Sequence, residues 1–242
     1  MTYALFRIKL LLGFPRPAKL KMKPRQAKYP LLIRLGASSD LDCFMEVFDA
    51  EEYRCLLDLA SPRLILDLGA NVGYSSAFFL SCFPEARVVA IEPDPDNFEV
   101  CRQNLAPYGD RVLLLLGAAW SHRCKLVLAR GAREWGTQVF EKSEGVPTVE
   151  AWAVPSLMEM AGASEIDLLK VDVECSELRI FDENSAAWLP KVRNICVELH
   201  DPECEEVFRR AIQDFDCTLS AGSELTYCRN LRPKNAAGAG DR

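Results

Sequence analysis

Five short apolar runs from residue 63 onward constrain the fold more than any other feature: "RLILDLG", "ARVVAIEPD", "RVLLLLGAAW", "IDLLKVDVE" and "VRNICVELH". Each is apolar almost without alternation, the pattern of a strand covered on both faces. Helix-like segments lie between and after them: "YSSAFFLSCF", "PDNFEVCRQNL", "PSLMEMAG", a stretch from the fourth run to about Trp188, and "PECEEVFRRAIQDF". Strand followed by helix, repeated, predicts an α/β fold with a doubly wound, mostly parallel sheet. "DCTLSAGSELTYCRN" reads as two further strands joined by a turn at Gly222, which makes seven strands and supplies an antiparallel edge.

Residues 1–60 read as a small N-terminal extension, 61–230 as the main domain and 231–242 as a disordered tail. In the extension "KLKMK" and "PLLIRL" can pair as a hairpin, and "SSDLDCFMEVFDAEEYRCLLDLA" reads as helical with Ser38 or Ser39 as N-cap. The stretch from about Ser121 to Ala153 breaks the alternation; "KLVLAR", "TQVF" and "TVEAWAV" read as short strands of an insertion.

A net charge of -6 argues against general nucleic-acid binding. The charge is uneven. Residues 1–40 hold nine Lys or Arg and one acid, Asp40, so they carry +8 and the remainder -14. Such a basic segment suits weak contact with an anionic membrane surface or an acidic partner, or is simply a solvated edge. The N-terminal "MTYALFRIKLLLGFP" is interrupted by Arg7 and Lys9, and no uncharged run approaches the ~20 residues of a membrane span. Ten cysteines without a C-x-x-C pair and only two histidines argue against a zinc site, and no metal ligand set is foreseen. Scattered over helices and strands, those cysteines fit a reduced, cytoplasmic protein.

In an open α/β sheet the ligand sits at the carboxyl ends of the strands. The first strand ends in Asp67-x-Gly69-x-Asn71-x-Gly73. A dinucleotide loop needs a middle glycine for the pyrophosphate, and here that position is Asn71. Asp67 would repel a pyrophosphate and suits an ammonium group. Glu92, ending the second strand 25 residues on, suits the two hydroxyls of a ribose. Ribose, amine and carboxylate without phosphate describe S-adenosylmethionine.

The sequence resembles the FkbM-type methyltransferases, a branch of the Rossmann-like class I methyltransferase fold. The resemblance rests on "ILDLGANVGYSS" with "VVAIEPDPDNFEVCRQNL", on "IDLLKVDVECSEL", on "VRNICVELH" and, more loosely, on "IRLGASSDLDCFMEVFDAEEY"; together they span most of residues 31 to 230. It implies transfer of a methyl group from S-adenosylmethionine to an oxygen, commonly a hydroxyl of a sugar, glycan or other small metabolite. By position it implies a cofactor wall of Asp67, Gly69, Ala70, Asn71, Gly73, Tyr74 and Ser75 in the loop, Glu92, Pro93 and Asn97 beyond the second strand, Ala118 near the adenine, and Asp172. Asp172 and Glu174 would face the reaction centre, and only the resemblance brings Ser39 and Asp40 near it.

For the general base Asp172 is the first choice, with Glu174, Glu198 and His200 also at strand ends. His200 has a suitable intrinsic pKa, or is a surface residue at a helix start; His122 reads as a loop residue. Trp120 and Trp135 would stack on a sugar or belong to the core. One departure stands out: the family's glycine after Asp-Val-Glu is Cys175 here, which would narrow the space or only begin a helix. Two alternatives remain at this stage, a nicotinamide-dependent oxidoreductase and a non-catalytic scaffold on the same fold.

Overall fold

The computed structural model describes residues 18–36, 38–130, 137–141, 148–182 and 184–234. The extension begins with the hairpin β1 (Lys19–Met22) and β2 (Leu31–Arg34), paired antiparallel. Helix α1 (Asp40–Phe48) and a 3-10 turn (Glu52–Leu56) follow. Ser39 holds the N-cap position of α1 without capping it, and the Ser38 hydroxyl donates to the Arg34 carbonyl instead.

The alternation then unfolds as the apolar runs require: β3 (Leu64–Leu68), α2 (Tyr74–Cys82), β4 (Arg87–Glu92), α3 (Pro95–Leu105) and β5 (Val112–Leu116). Next come β6 (Ala118–Ala119), β7 (Cys124–Arg130), β8 (Thr137–Glu141), β9 (Thr148–Trp152) and α4 (Val154–Met160). The chain continues through β10 (Leu168–Val171), α5 (Glu177–Asp182), β11 (Ile195–Glu198), α6 (Pro202–Ala211), β12 (Phe215–Ala221) and β13 (Leu225–Pro233).

Seven strands form one sheet in the order β12-β13-β11-β10-β3-β4-β5, with β11, β10, β3, β4 and β5 parallel and β13 antiparallel to both its neighbours. Every residue of β3 and β10 is buried, as continuous apolar runs at the sheet centre must be. The third run differs from its reading. β5 is an edge strand, Leu113 and Leu116 are exposed, and after Gly117 the chain leaves for a second sheet. That sheet, ordered β6-β9-β7-β8, is the insertion. Trp120 lies buried in its small core with Leu126 and Ala151; Trp135 lies outside the described residues.

Two boundaries also shift. The helix expected through Trp188 stops at Asp182, and Asn184, at φ +59, turns the chain into a short 3-10 segment. β13 runs to Pro233, past the expected domain end at 230; residues 235–242 lie outside the described ones, as do residues 1–17 of the basic segment 1–40. No helix among the described residues is long and apolar enough to cross a membrane.

The extension shares one core with the sheet. Phe44 meets Tyr74 edge-on at 5.5 Å and Tyr53 meets Phe79 at 5.0 Å. Each such buried aromatic contributes roughly 1.5–3 kcal/mol. The Tyr74 hydroxyl donates to the Leu32 carbonyl, and Asn104 accepts from Leu32 N (2.6 Å) while donating to the Val72 carbonyl (2.8 Å).

Candidate functional site

The β3–α2 loop is folded by its glycines. Gly69 sits at φ +77, and a Cβ there would lie 1.8 Å from the Asp172 carbonyl oxygen, so the turn and the end of β10 pass at a distance that only glycine permits. Gly69 N and Ala70 N both donate to the Ile91 carbonyl. Asn71, at φ +49, directs its N–H to Glu92 Oε2 (2.8 Å). Gly73 packs against Cys101 and Leu105 of α3.

Glu92 is buried with both oxygens oriented by backbone: Oε2 accepts from Asn71 N and Oε1 from Asp94 N (2.9 Å). Burial pushes its carboxyl up to about 7, against the pull of those two N–H groups. Asp94 caps α3 by accepting from Asp96 N and Asn97 N. Asn97 in turn accepts from Arg34, which is bound bidentately to Asp40. Arg34 and Asn97 thus link Asp40 to the cavity wall.

A cavity of about 400 Å³ opens at the carboxyl ends of the parallel strands. One end is walled by Gly69, Asn71, Glu92, Pro93, Asn97 and Ala118; the other is acidic, with Glu46, Asp172, Glu174, Glu198, Glu224 and His200. A recess of about 60 Å³ beside it reaches Ala70, Tyr74 and Ser75. Asp67 corrects its expected role. It is wholly buried and lines neither space. Ser75 and Ser76 hydroxyls donate to its Oδ2 at 2.7 and 2.6 Å, and Lys170 Nζ lies 3.3 Å from Oδ1. Lys170, itself buried in mid-strand, donates to the Gly69 carbonyl at 2.7 Å and lies 3.3 Å from Asp172 Oδ2. Asp67 thus braces the loop from behind.

At the acidic end His200 Nδ1 lies 3.1 Å from Glu177 Oε1, a fully buried carboxylate that also accepts from Val173 N. Its Nε2 faces Glu198 (3.5 Å), Glu174 (3.6 Å) and Asp172 (3.8 Å). Burial alone would lower the His200 pKa, but Glu177, Glu198 and Asp172 outweigh it and push it up to about 9. Burial, helped by Asp172, pushes Glu198 up to about 8, and burial also raises Glu174. Glu174 and Cys175 sit consecutively at φ +51 and +71. Cys175 does not line the cavity, so a glycine at this place serves the left-handed backbone and not access.

A family model for the methyltransferase FkbM domain matches residues 67–226, well over half of the chain. The chain belongs to the FkbM methyltransferase family. This FkbM chain is 28% identical, over 62% of its length and 68% of the relative's, to the 2-O-methyltransferase NoeI of Sinorhizobium fredii. It is 30% identical to the hexuronic acid methyltransferase AglP of Haloferax volcanii, over 61% of this chain and 60% of that one. A putative caffeoyl-CoA O-methyltransferase from Staphylococcus aureus shares the fold with a TM-score of 0.50 at 13% identity, over 82% of this chain and 93% of that one. The protein is a methyltransferase with the Rossmann-like class I fold, and the nicotinamide-dependent alternative falls with that membership.

Among the FkbM chain's cavity residues, Cys43, Glu46 and Glu224 escaped the sequence reading. The first two come from α1 and the third from the β12–β13 turn, and no local motif marks any of them. Lys170 did carry a signal, since a lysine inside "DLLKVD" on a buried strand requires a carboxylate partner.

Proposed function

We propose that this FkbM methyltransferase moves a methyl group from S-adenosylmethionine to a hydroxyl of a sugar, glycan or other small metabolite. The observation that carries the reading is Glu92, a buried carboxylate at the wall of the cavity with each oxygen pre-set by one backbone N–H. Its remaining lone pairs suit the two adjacent hydroxyls of a ribose. Gly69 and Asn71 would flank the methionine part and Asn97 and Ala118 the base, all on one wall. Bound there, the cofactor supplies an electrophilic methyl carbon on a sulfonium.

The remaining chemistry falls to the acidic end. The acceptor oxygen must attack in line with the carbon–sulfur bond; a C–O bond forms, the C–S bond breaks, and its electron pair stays on sulfur as a thioether. Holding that alignment contributes roughly 7–11 kcal/mol. The hydroxyl proton must go to a base, worth roughly 10²–10⁴-fold. Asp172 is tied to Lys170 on one oxygen, whereas among the described residues the basic group beside Glu174 is His200, at 3.6 Å. We assign Glu174 the proton, and Asp172 and His200 the positioning of the acceptor oxygen. The proposed acceptor class is supported by the names of NoeI and AglP, a 2-O-methyltransferase and a hexuronic acid methyltransferase. Calorimetric titration with S-adenosylhomocysteine and a labelled-methyl screen over glycans and hydroxylated metabolites test the reading. A folded protein that binds no S-adenosylhomocysteine would refute it.

A further inference from the structure

We propose that Asp172, Glu198 and His200 form a divalent-cation site at the acidic end of the cavity, and that the cation holds the acceptor hydroxyl during methyl transfer. The first half stands on the donor geometry alone; the second rests on the proposed methyl-transfer reading.

Three donors of mixed chemistry converge. One carboxylate oxygen from Asp172, one from Glu198 and one imidazole nitrogen from His200 all lie within 4.8 Å of one another. Asp172 follows β10 and Glu198 ends β11, which are adjacent parallel strands, and His200 stands two residues beyond Glu198. The ligands are therefore set by the sheet itself. His200 Nε2 is 3.5 Å from Glu198 Oε1 and 3.8 Å from Asp172 Oδ1, too far for good hydrogen bonds. Two donors bound to one ion at ~2.1 Å stand about 3.4 Å apart in a tetrahedron, so a small movement admits the ion.

The surroundings orient these donors as a metal requires. A ligating histidine usually gives its other N–H to a carboxylate, which fixes the tautomer. Here His200 Nδ1 meets Glu177, which is fully buried and itself held by Val173 N, so Nε2 is turned toward the two carboxylates, and a cation bound there would take the place of its proton. Asp172 is oriented in the same manner. Lys170 holds its Oδ2, leaving Oδ1 toward His200. The wall also carries Glu46, Glu174 and Glu224, an excess of carboxylates that a doubly charged ion offsets. Two carboxylates and one imidazole suit Mn²⁺, Mg²⁺ or Zn²⁺ and leave coordination positions open for an acceptor oxygen.

In the reaction the cation, unchanged in oxidation state, binds the acceptor oxygen and makes its proton easier to remove. Glu174, 3.6 Å from Nε2, takes that proton as the oxygen bonds to the methyl carbon and the C–S pair returns to sulfur.

The test uses the full chain, dialysed against EDTA and titrated with Mn²⁺ by electron paramagnetic resonance. One Mn²⁺ per chain is expected. Glu198→Gln and His200→Gln should weaken it at least tenfold, Glu177→Gln about 10–100-fold although it touches no ion, and the surface variant Glu205→Gln should leave it unchanged. Circular dichroism confirms that each variant folds. No binding of Mn²⁺, Mg²⁺ or Zn²⁺ at millimolar concentration, or equal binding by wild type and Glu198→Gln, overturns the site. Undiminished methyl transfer in excess EDTA overturns the catalytic half. Mn²⁺ binding without S-adenosylhomocysteine binding upholds the cation site and sinks the cofactor reading instead.

Discussion

Replacing Lys170 by Met tests the centre of the structure. The lysine and Asp67 are both buried, 3.3 Å apart, and Lys170 Nζ also serves the Gly69 carbonyl and Asp172. Methionine keeps the volume and removes the charge. Asp67 then keeps its two serine donors but loses its counter-charge, and breaking a buried pair on one side costs about 3–5 kcal/mol. Against a total stability of ~5–15 kcal/mol this is a large share. With a urea slope of ~3 kcal/mol/M the unfolding midpoint falls by about 1–2 M. Urea titration followed by circular dichroism measures it. In a cycle with Asp67→Asn, the double variant should be at least ~2 kcal/mol more stable than the sum of the single losses predicts. A loss under ~1 kcal/mol, or plain additivity, would show that the pair is not a coupled unit.

Glu92 has a folded pKa of about 7 against an ordinary 4.5. Its contribution to stability is full below 4.5 and is lost as pH rises through 7, whereas ribose binding needs the carboxylate; S-adenosylhomocysteine affinity should therefore rise about tenfold from pH 6 to 8, and Glu92→Gln should flatten that slope. Cys175→Gly removes a left-handed Cys and should raise stability by ~0.5 kcal/mol, read as a Tm gain of about 1–2 °C; a lower Tm would contradict the backbone argument. Gly69→Ala drives a Cβ into the Asp172 carbonyl and should cost ~1–3 kcal/mol and most of the S-adenosylhomocysteine affinity by calorimetry. Glu174→Gln should lower kcat by roughly 10²-fold or more with little change in cofactor affinity, and an unchanged kcat would remove Glu174 from the mechanism.

Much of this was readable from the chain. Continuous apolar runs mark β3, β4 and β10 because strands buried on both faces cannot alternate, and the loop with Glu92 marks the end of the sheet where the cavity opens. β5 misled because an apolar run does not say whether it has one neighbour or two. Asp67 misled for a related reason: a carboxylate at a strand end faces either the ligand or the helix behind it, and the serines at 75 and 76 with Lys170 decide for the second. The meeting of Asp172, Glu177, Glu198 and His200 depends on β10 and β11 being neighbours in register, which no local pattern encodes.

The bonds around Leu32 bear on how this protein is to be divided. Its carbonyl receives Tyr74 and its N–H goes to Asn104, which also holds Val72 in the β3–α2 loop. Cys43 and Glu46 of α1 complete the cavity wall. A cut at residue 60 would strip two polar groups of their buried partners and leave the cavity without one side. The hairpin and α1 are in that sense not a detachable accessory; they brace the loop they hold, and any chimera has to carry both pieces across together.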